Sequence, residues 1–222
     1  MSISENLNTI LTNIPKNVKL VAVSKTKPVS DIIEAYNAGQ RIFGENKIQE
    51  MIAKHNELPK DIEWHMIGHI QRNKVKYMAP FVSLIHAVDS LRLLTEINKQ
   101  ALKNNRTINC LLQIKIATEE NKFGLTEDEV FELLASEEYK SFKNINIVGL
   151  MGMATFTNNQ DQLNSEFASL KSIFDSIYKT NLHIDTLSMG MSGDYPIAIK
   201  NGSNMIRVGS SIFGMRACNN NL

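Results

Sequence analysis

Val21-Ala22-Val23-Ser24-Lys25-Thr26-Lys27-Pro28 is an apolar β-type run that stops at a lysine and is then forced out of any ladder by a proline. Proline has no N–H to give a sheet, so the strand ends by Pro28 at the latest. Lys25 is therefore expected at the rim of a core. A lysine placed there has two readings. It can snorkel off the strand end into solvent. Alternatively, partial desolvation makes a neutral amine accessible, and a neutral amine is what an aldehyde needs to form an imine.

Outward from this stretch the same unit recurs. Leu20 to Val23 is the first strand, preceded by an amphipathic helix over residues 3–13 with Ile3, Leu7, Ile10 and Leu11 at helical spacing. Asp31 and Glu34 form a capping-box-like pair for a helix that Gly39 ends. Arg41 to Phe43 reads as strand two, and Ile48, Met51, Ile52 and His55 mark the next helix. Strand three is Glu63 to Ile67, followed by a helix over Asn73 to Ala79. Strand four is Leu84 to Val88, with Ser90 as the cap of a helix that buries Leu94, Ile97 and Ala101. Strand five is Cys110 to Ile116, and Thr126 with Glu129 forms a capping box. Strand six is Ile145 to Leu150. A long helix from Asn159 to Lys179 has one apolar seam: Leu163, Phe167, Leu170, Phe174 and Ile177. Strand seven is Leu182 to Leu187 and strand eight Asn204 to Val208. Eight strands alternating with helices imply βαβ units and a parallel sheet, and eight units favour a closed (β/α)8 TIM barrel over an open sheet. The barrel is expected to span residues 1–216 as a single domain, with a disordered tail over 217–222.

Composition narrows the function. The 222 residues carry 24 basic and 23 acidic groups, a net charge of +1, which provides no field to recruit nucleic acid. Hydrophobic residues make up 43% and charged residues 21%, the balance of a soluble globular chain. No apolar run reaches membrane-spanning length, and the N-terminus lacks the regions of a signal peptide. Cys110 and Cys218 are far apart, so reduced thiols and a cytoplasmic location are expected.

In a barrel of this kind the working face lies at the C-terminal strand ends. Lys25 falls there after strand one, Glu45 and Asn46 after strand two, His69 and Gln71 after strand three, and Met151 after strand six. Ser188-Met189-Gly190-Met191-Ser192-Gly193-Asp194 ends strand seven, and Gly209-Ser210-Ser211 follows strand eight. The two serine- and glycine-rich loops read either as ordinary helix-capping turns or as a cup for an anion. Arg207, on strand eight, needs a partner inside a barrel mouth. One reading is an ion pair with a neighbouring carboxylate. A lysine at one end, an anion cup at the other and an arginine between them suit a phosphorylated aromatic aldehyde, pyridoxal 5′-phosphate (PLP), with its ring nitrogen facing Arg207. His65 and His69 straddle a strand end without a third ligand, so no metal site is expected. His86 reads as a hydrogen-bonded core histidine, and Trp64, Met66 and Met153 as core. Arg72, Lys74 and Lys76 read as a solvated helix face.

Seven stretches resemble one family: VAVSKTKP at 21–28, FGEN at 43–46, WHMIGHIQRNKVK at 64–76, EENKFG at 119–124, GLMGMAT at 149–155, SMGMSGD at 188–194 and IRVGSSIFG at 206–214. The sequence is similar to the pyridoxal phosphate homeostasis proteins, the YggS/PROSC family. The resemblance implies a type III PLP barrel like the N-terminal domain of alanine racemase. It implies that Lys25 is the Schiff-base lysine and that Arg207 faces the pyridine nitrogen. Ser192, Gly209 and Ser210, with the nearby backbone of Ser188, Met189, Gly190 and Met191, would hold the phosphate, and Asn46 would line the ring side, with Met151 among the cofactor-binding positions. It further implies a PLP carrier without catalytic residues of its own, making transient contact with PLP-dependent apo-enzymes. An amino-acid racemase is the alternative. Related racemases pair through an extra β domain that is not expected after Gly214, so a monomer is expected. Two positions depart from the family pattern. Lys115 replaces an asparagine on strand five, and Pro196 replaces an acidic residue. With Ser192 as helix cap, Pro196 would fall where an N–H is first needed, so a shifted helix start is expected.

Overall fold

The computed structural model describes residues 2–117, 123–179 and 183–215. Eight parallel strands close into a barrel in sequence order, β1 pairing with both β2 and β8. They are β1 (Lys19–Val23), β2 (Ile42–Glu45), β3 (Glu63–Met66), β4 (Leu84–Val88), β5 (Ile108–Ile114), β6 (Ile145–Gly152), β7 (Thr186–Ser188) and β8 (Met205–Val208). The helices outside are α1 (Ile3–Asn13), α2 (Val29–Asn37), α3 (Ile48–Glu57), α4 (Val75–Met78), α5 (Leu91–Lys103), α6 (Glu127–Ala135), α7 (Glu137–Lys140), α8 (Gln160–Tyr178), α9 (Tyr195–Lys200) and α10 (Ser210–Phe213). The (β/α)8 expectation holds. The tail at 217–222, the domain boundary at 216, most of the EENKFG stretch and Leu182 at the expected start of strand seven lie outside the described residues.

Two hydrophobic layers hold this arrangement. The larger lies between strands and helices, and it takes in the whole α8 seam of Leu163, Phe167, Leu170, Phe174 and Ile177. A smaller cluster of Val21, Leu84, Ala87, Leu111, Met151 and Met205 fills the barrel interior. The two layers follow from strand alternation, which sends one set of side chains inward and the next outward. Trp64 and Met66 are buried, as expected of core.

Several boundaries move for local reasons. Strand five ends at Ile114 rather than Ile116, because the amide of Lys115 donates to the Leu125 carbonyl and that of Leu125 to Gln113. Lys115 is thereby turned out of the barrel and is exposed. Strand six runs on to Gly152, since Met151 and Gly152 stay in register with Gln113 and Ile114. Met151 is therefore within the strand and not after it. The Asp31–Glu34 pair does not cap α2: Pro28 is the N-cap residue, and Glu34 instead accepts from the Ser4 amide at 3.1 Å. Ser90 stands at the α5 N-cap, but its hydroxyl donates to Asp89 and caps nothing. The Thr126–Glu129 capping box is formed on both sides. Pro196 behaves as its chemistry requires: α9 begins at Tyr195 with Asp194 as N-cap, which puts the proline in the first turn, where no N–H is needed.

Candidate functional site

A cavity of about 880 Å³ opens at the C-terminal end of the barrel. Lys25, Asn46, Met191, Ser192, Arg207, Gly209 and Ser210 all line it. The other expected residues stand behind the wall. Met151 and Met189 are fully buried, Met151 within the interior cluster, and Ser188 is buried beneath Arg207. Gly190 makes the turn that ends strand seven. Its φ is +100°, and an added Cβ would lie 2.7 Å from that of Ala198.

Arg207 is held by neutral groups. Its Nη1 donates to the Ser188 carbonyl at 2.9 Å and to the Ser188 hydroxyl at 2.7 Å, and its Nη2 donates to the Gly152 carbonyl at 2.9 Å. The ion-pair reading thus gives way to a carbonyl clamp, although Asp194 is near enough to favour the cation. Burial pulls the guanidinium down to about 10, still well above neutral pH, so it remains charged.

Behind the clamp runs a buried polar chain. His86 Nδ1 is 3.1 Å from the Ser188 hydroxyl, and His86 Nε2 is 3.0 Å from His65 Nδ1. The serine hydroxyl thus accepts from Arg207 and also bonds His86 Nδ1, which its second lone pair and its single proton both allow. Both imidazoles are neutral. Burial is the main cause, lowering His65 to about 3 and His86 well below its ordinary value. His86 is the hydrogen-bonded core histidine its alternation suggested.

The loops after β7 and β8 are rich in donors. The Gly209 amide donates to the Ser192 hydroxyl oxygen at 3.2 Å, tying the loop after β7 to the loop after β8 and leaving the Ser192 proton for another acceptor. The amides of Ser192, Gly193, Ser210 and Ser211 donate to no acceptor among the described residues. All four residues line the cavity. The following helices have six and four residues, so loop amides and hydroxyls supply the donor set here rather than a long helix dipole. Asp194 is committed locally, its Oδ1 accepting from the Met191 amide.

Other cavity residues lie outside the expected cofactor-binding positions. Met153, Thr155, Phe156, Thr157 and Asn158 come from the loop after β6, and Met153 lines the cavity although it reads as core. Lys27 also lines the cavity and donates to the Phe213 carbonyl at 2.7 Å, bracing the first loop against α10. Lys115 and His69 are not part of the lining. His69 stacks on Phe123 and faces Asp89 at 3.4 Å. Among the described residues no cluster of acidic, histidine or cysteine side chains could hold a metal ion, and no helix is long and apolar enough to cross a membrane.

Residues 1–217 match the family model for the alanine racemase N-terminal domain. The pyridoxal phosphate homeostasis protein of Vibrio alginolyticus is 40% identical over 91% of this chain and 88% of its own length. The chain belongs to the pyridoxal phosphate homeostasis protein family. Among solved structures, PipY of Synechococcus elongatus with PLP bound is 34% identical, with a TM-score of 0.87 over 96% of this chain and 100% of that one. Alanine racemase of Clostridium difficile shares the barrel, with a TM-score of 0.82 at 14% identity over 98% of this chain and 58% of that one.

Proposed function

We propose that this chain binds pyridoxal 5′-phosphate as a Schiff base on Lys25 and serves PLP homeostasis in the cytoplasm, as a monomer and without catalytic turnover of its own. One observation carries the reading. A lysine amine, a buried guanidinium and four loop amides without internal acceptors line a single cavity. That donor set fits the group: an oxyanion needs several N–H and O–H donors, and an aldehyde needs an amine. When bound, PLP supplies an aldehyde that condenses with the amine, forming a C=N bond and releasing water.

The residues divide the work. Ser192, Ser210 and the amides around them hold the phosphate ester, with Gly209 locking the two loops together. Asn46 lines the ring side. Arg207 faces the ring nitrogen and is itself a cation, so it leaves that nitrogen unprotonated and weakens the ring as an electron sink. A weak sink disfavours carbanion chemistry and suits holding and delivering the cofactor to apo-enzymes. The named relatives and the PLP-bound neighbour support the same reading.

The test is to soak the pure protein in PLP, reduce it with borohydride and map the mass increment. The expected result is a visible imine band and an adduct on Lys25, both lost in Lys25→Ala. A colourless protein with no adduct at Lys25 overturns the reading. D-alanine produced from L-alanine, and abolished by Lys25→Ala, replaces the carrier with a racemase.

A further inference from the structure

We infer that the buried ionic cluster of Glu45, Glu50 and Lys54, which lies outside the cavity, is the device that positions Lys25. The inference rests on the reading of Lys25 as the amine that bonds PLP. The cluster grips both peptide units that flank this lysine. On one side, Lys54 Nζ donates to the Ser24 carbonyl, the oxygen of the Ser24–Lys25 peptide, at 2.7 Å. On the other, the Thr26 amide, the N–H of the Lys25–Thr26 peptide, donates to Glu50 Oε1 at 2.5 Å. The two grips are one object, because the same Lys54 ammonium donates to Glu50 Oε1 at 2.7 Å and to Glu45 Oε1 at 2.7 Å. Glu45 also accepts from the Ser24 hydroxyl at 2.6 Å.

The arrangement goes beyond ordinary strand packing. Glu45 has no solvent-exposed side-chain surface and Lys54 only 7%, and burying such charges is costly unless something fixes them. Thr26 stands at φ +63°, a left-handed conformation that a β-branched residue avoids. Such a conformation persists only where its surroundings over-determine it, and strain of this kind collects at functional positions. Here the Glu50 carboxylate supplies the constraint. The spacing is encoded locally: Glu45 ends β2, while Glu50 and Lys54 are one turn apart on α3. None of the three lines the cavity.

The experiment separates holding the phosphate from forming the imine. Wild type, Lys54→Met, Glu50→Ala and Glu50→Gln are mixed with PLP, and the imine band is followed in time. Each is also titrated with pyridoxine 5′-phosphate, which has the ring and phosphate but no aldehyde. Misplacing a reacting group by an ångström costs one to two powers of ten in rate, so Lys54→Met and Glu50→Ala are expected to slow imine formation about tenfold or more. Affinity for pyridoxine 5′-phosphate should stay within about twofold, since its contacts are untouched. Glu50→Gln keeps an oxygen for the Thr26 amide and should restore the rate to within about threefold of wild type. Equal imine rates in wild type and folded variants overturn the inference, as does a parallel loss of both ligands, or Glu50→Gln as slow as Glu50→Ala. Should Lys54→Met fail to fold, the Glu50 pair alone decides, because that side chain is partly exposed. Wild type that forms no imine at all overturns the reading of Lys25 instead, a result distinct from the others.

Discussion

The Ser188 hydroxyl is shared between Arg207, at 2.7 Å, and His86, at 3.1 Å, so one buried oxygen couples the cation of the cavity to the histidine pair inside the barrel. Ser188→Ala removes an acceptor from Arg207 and a hydrogen-bond partner from His86 at once. An unsatisfied buried polar group costs about 1–3 kcal/mol. We expect a denaturation midpoint lowered by a stability loss of that size with an unchanged slope, since the carbonyls of Ser188 and Gly152 still hold the guanidinium. An unchanged midpoint would show that the hydroxyl bears no part of the clamp.

The histidine pair gives the fold a pH dependence. Both imidazoles are depressed in the folded state, His65 to about 3, while in the unfolded chain they titrate near 6.5. Below 6.5 the unfolded state therefore binds more protons, and stability falls with pH across the window from 6.5 towards 3. At pH 5 His65, kept neutral, costs about 2 kcal/mol relative to pH 8, and His86 acts in the same direction. Glu45 works in the opposite sense: burial raises its pKa, so it favours the fold as pH falls, but it is one group against two. Melting temperatures recorded from pH 8 to pH 5 should decline in wild type, and less steeply in His65→Gln. A flat profile contradicts the neutral pair.

The barrel was legible because its signals are local. Strand composition, helix periodicity and the Thr126–Glu129 box each lie within a few residues of one another, and all appear in the structure. The two donor-rich loops were legible for the same reason, as serines and glycines clustered after two consecutive strands, and both line the cavity. What was hidden depends on register. Met151 seemed to follow its strand, but pairing with Gln113 keeps it in the ladder and turns it into the barrel interior. Met153, two residues further on, shares its face and reaches the cavity. The partners of Arg207 were equally invisible, being main-chain carbonyls that any residue supplies.

Gly190 has no room for a side chain. A Cβ there would approach the Tyr195 Cα to 2.9 Å and the Ala198 Cβ to 2.7 Å, and its φ of +100° disfavours any L side chain. Strain and overpacking each cost on the order of 1–3 kcal/mol. Gly190→Ala is expected to lose about 3 kcal/mol in a denaturant titration and to weaken anion binding by moving the Met191–Ser192 segment. Gly193→Ala, where nothing lies within 4 Å of the added carbon, serves as the control and should cost less than about 1 kcal/mol. Equal losses at the two glycines would remove the steric argument.

Ser192 has two jobs that two different measurements read separately. Its oxygen accepts the Gly209 amide, and its proton remains for a ligand. Ser192→Ala deletes both, while Ser192→Cys keeps a weak acceptor and a weak donor at the same place. A hydrogen bond to a charged group is worth about 1.5–3 kcal/mol, so alanine should weaken binding of inorganic phosphate or pyridoxine 5′-phosphate about tenfold or more. Stability should fall by about 1 kcal/mol, because the Gly209 amide lies in a part-buried loop. Titration calorimetry checks the first figure and denaturation the second. A ligand bound as tightly by alanine as by serine would mean that the loop amides alone hold the anion. Cysteine is expected between the two: its longer, softer sulfur fills the site but aligns poorly with a phosphate oxygen.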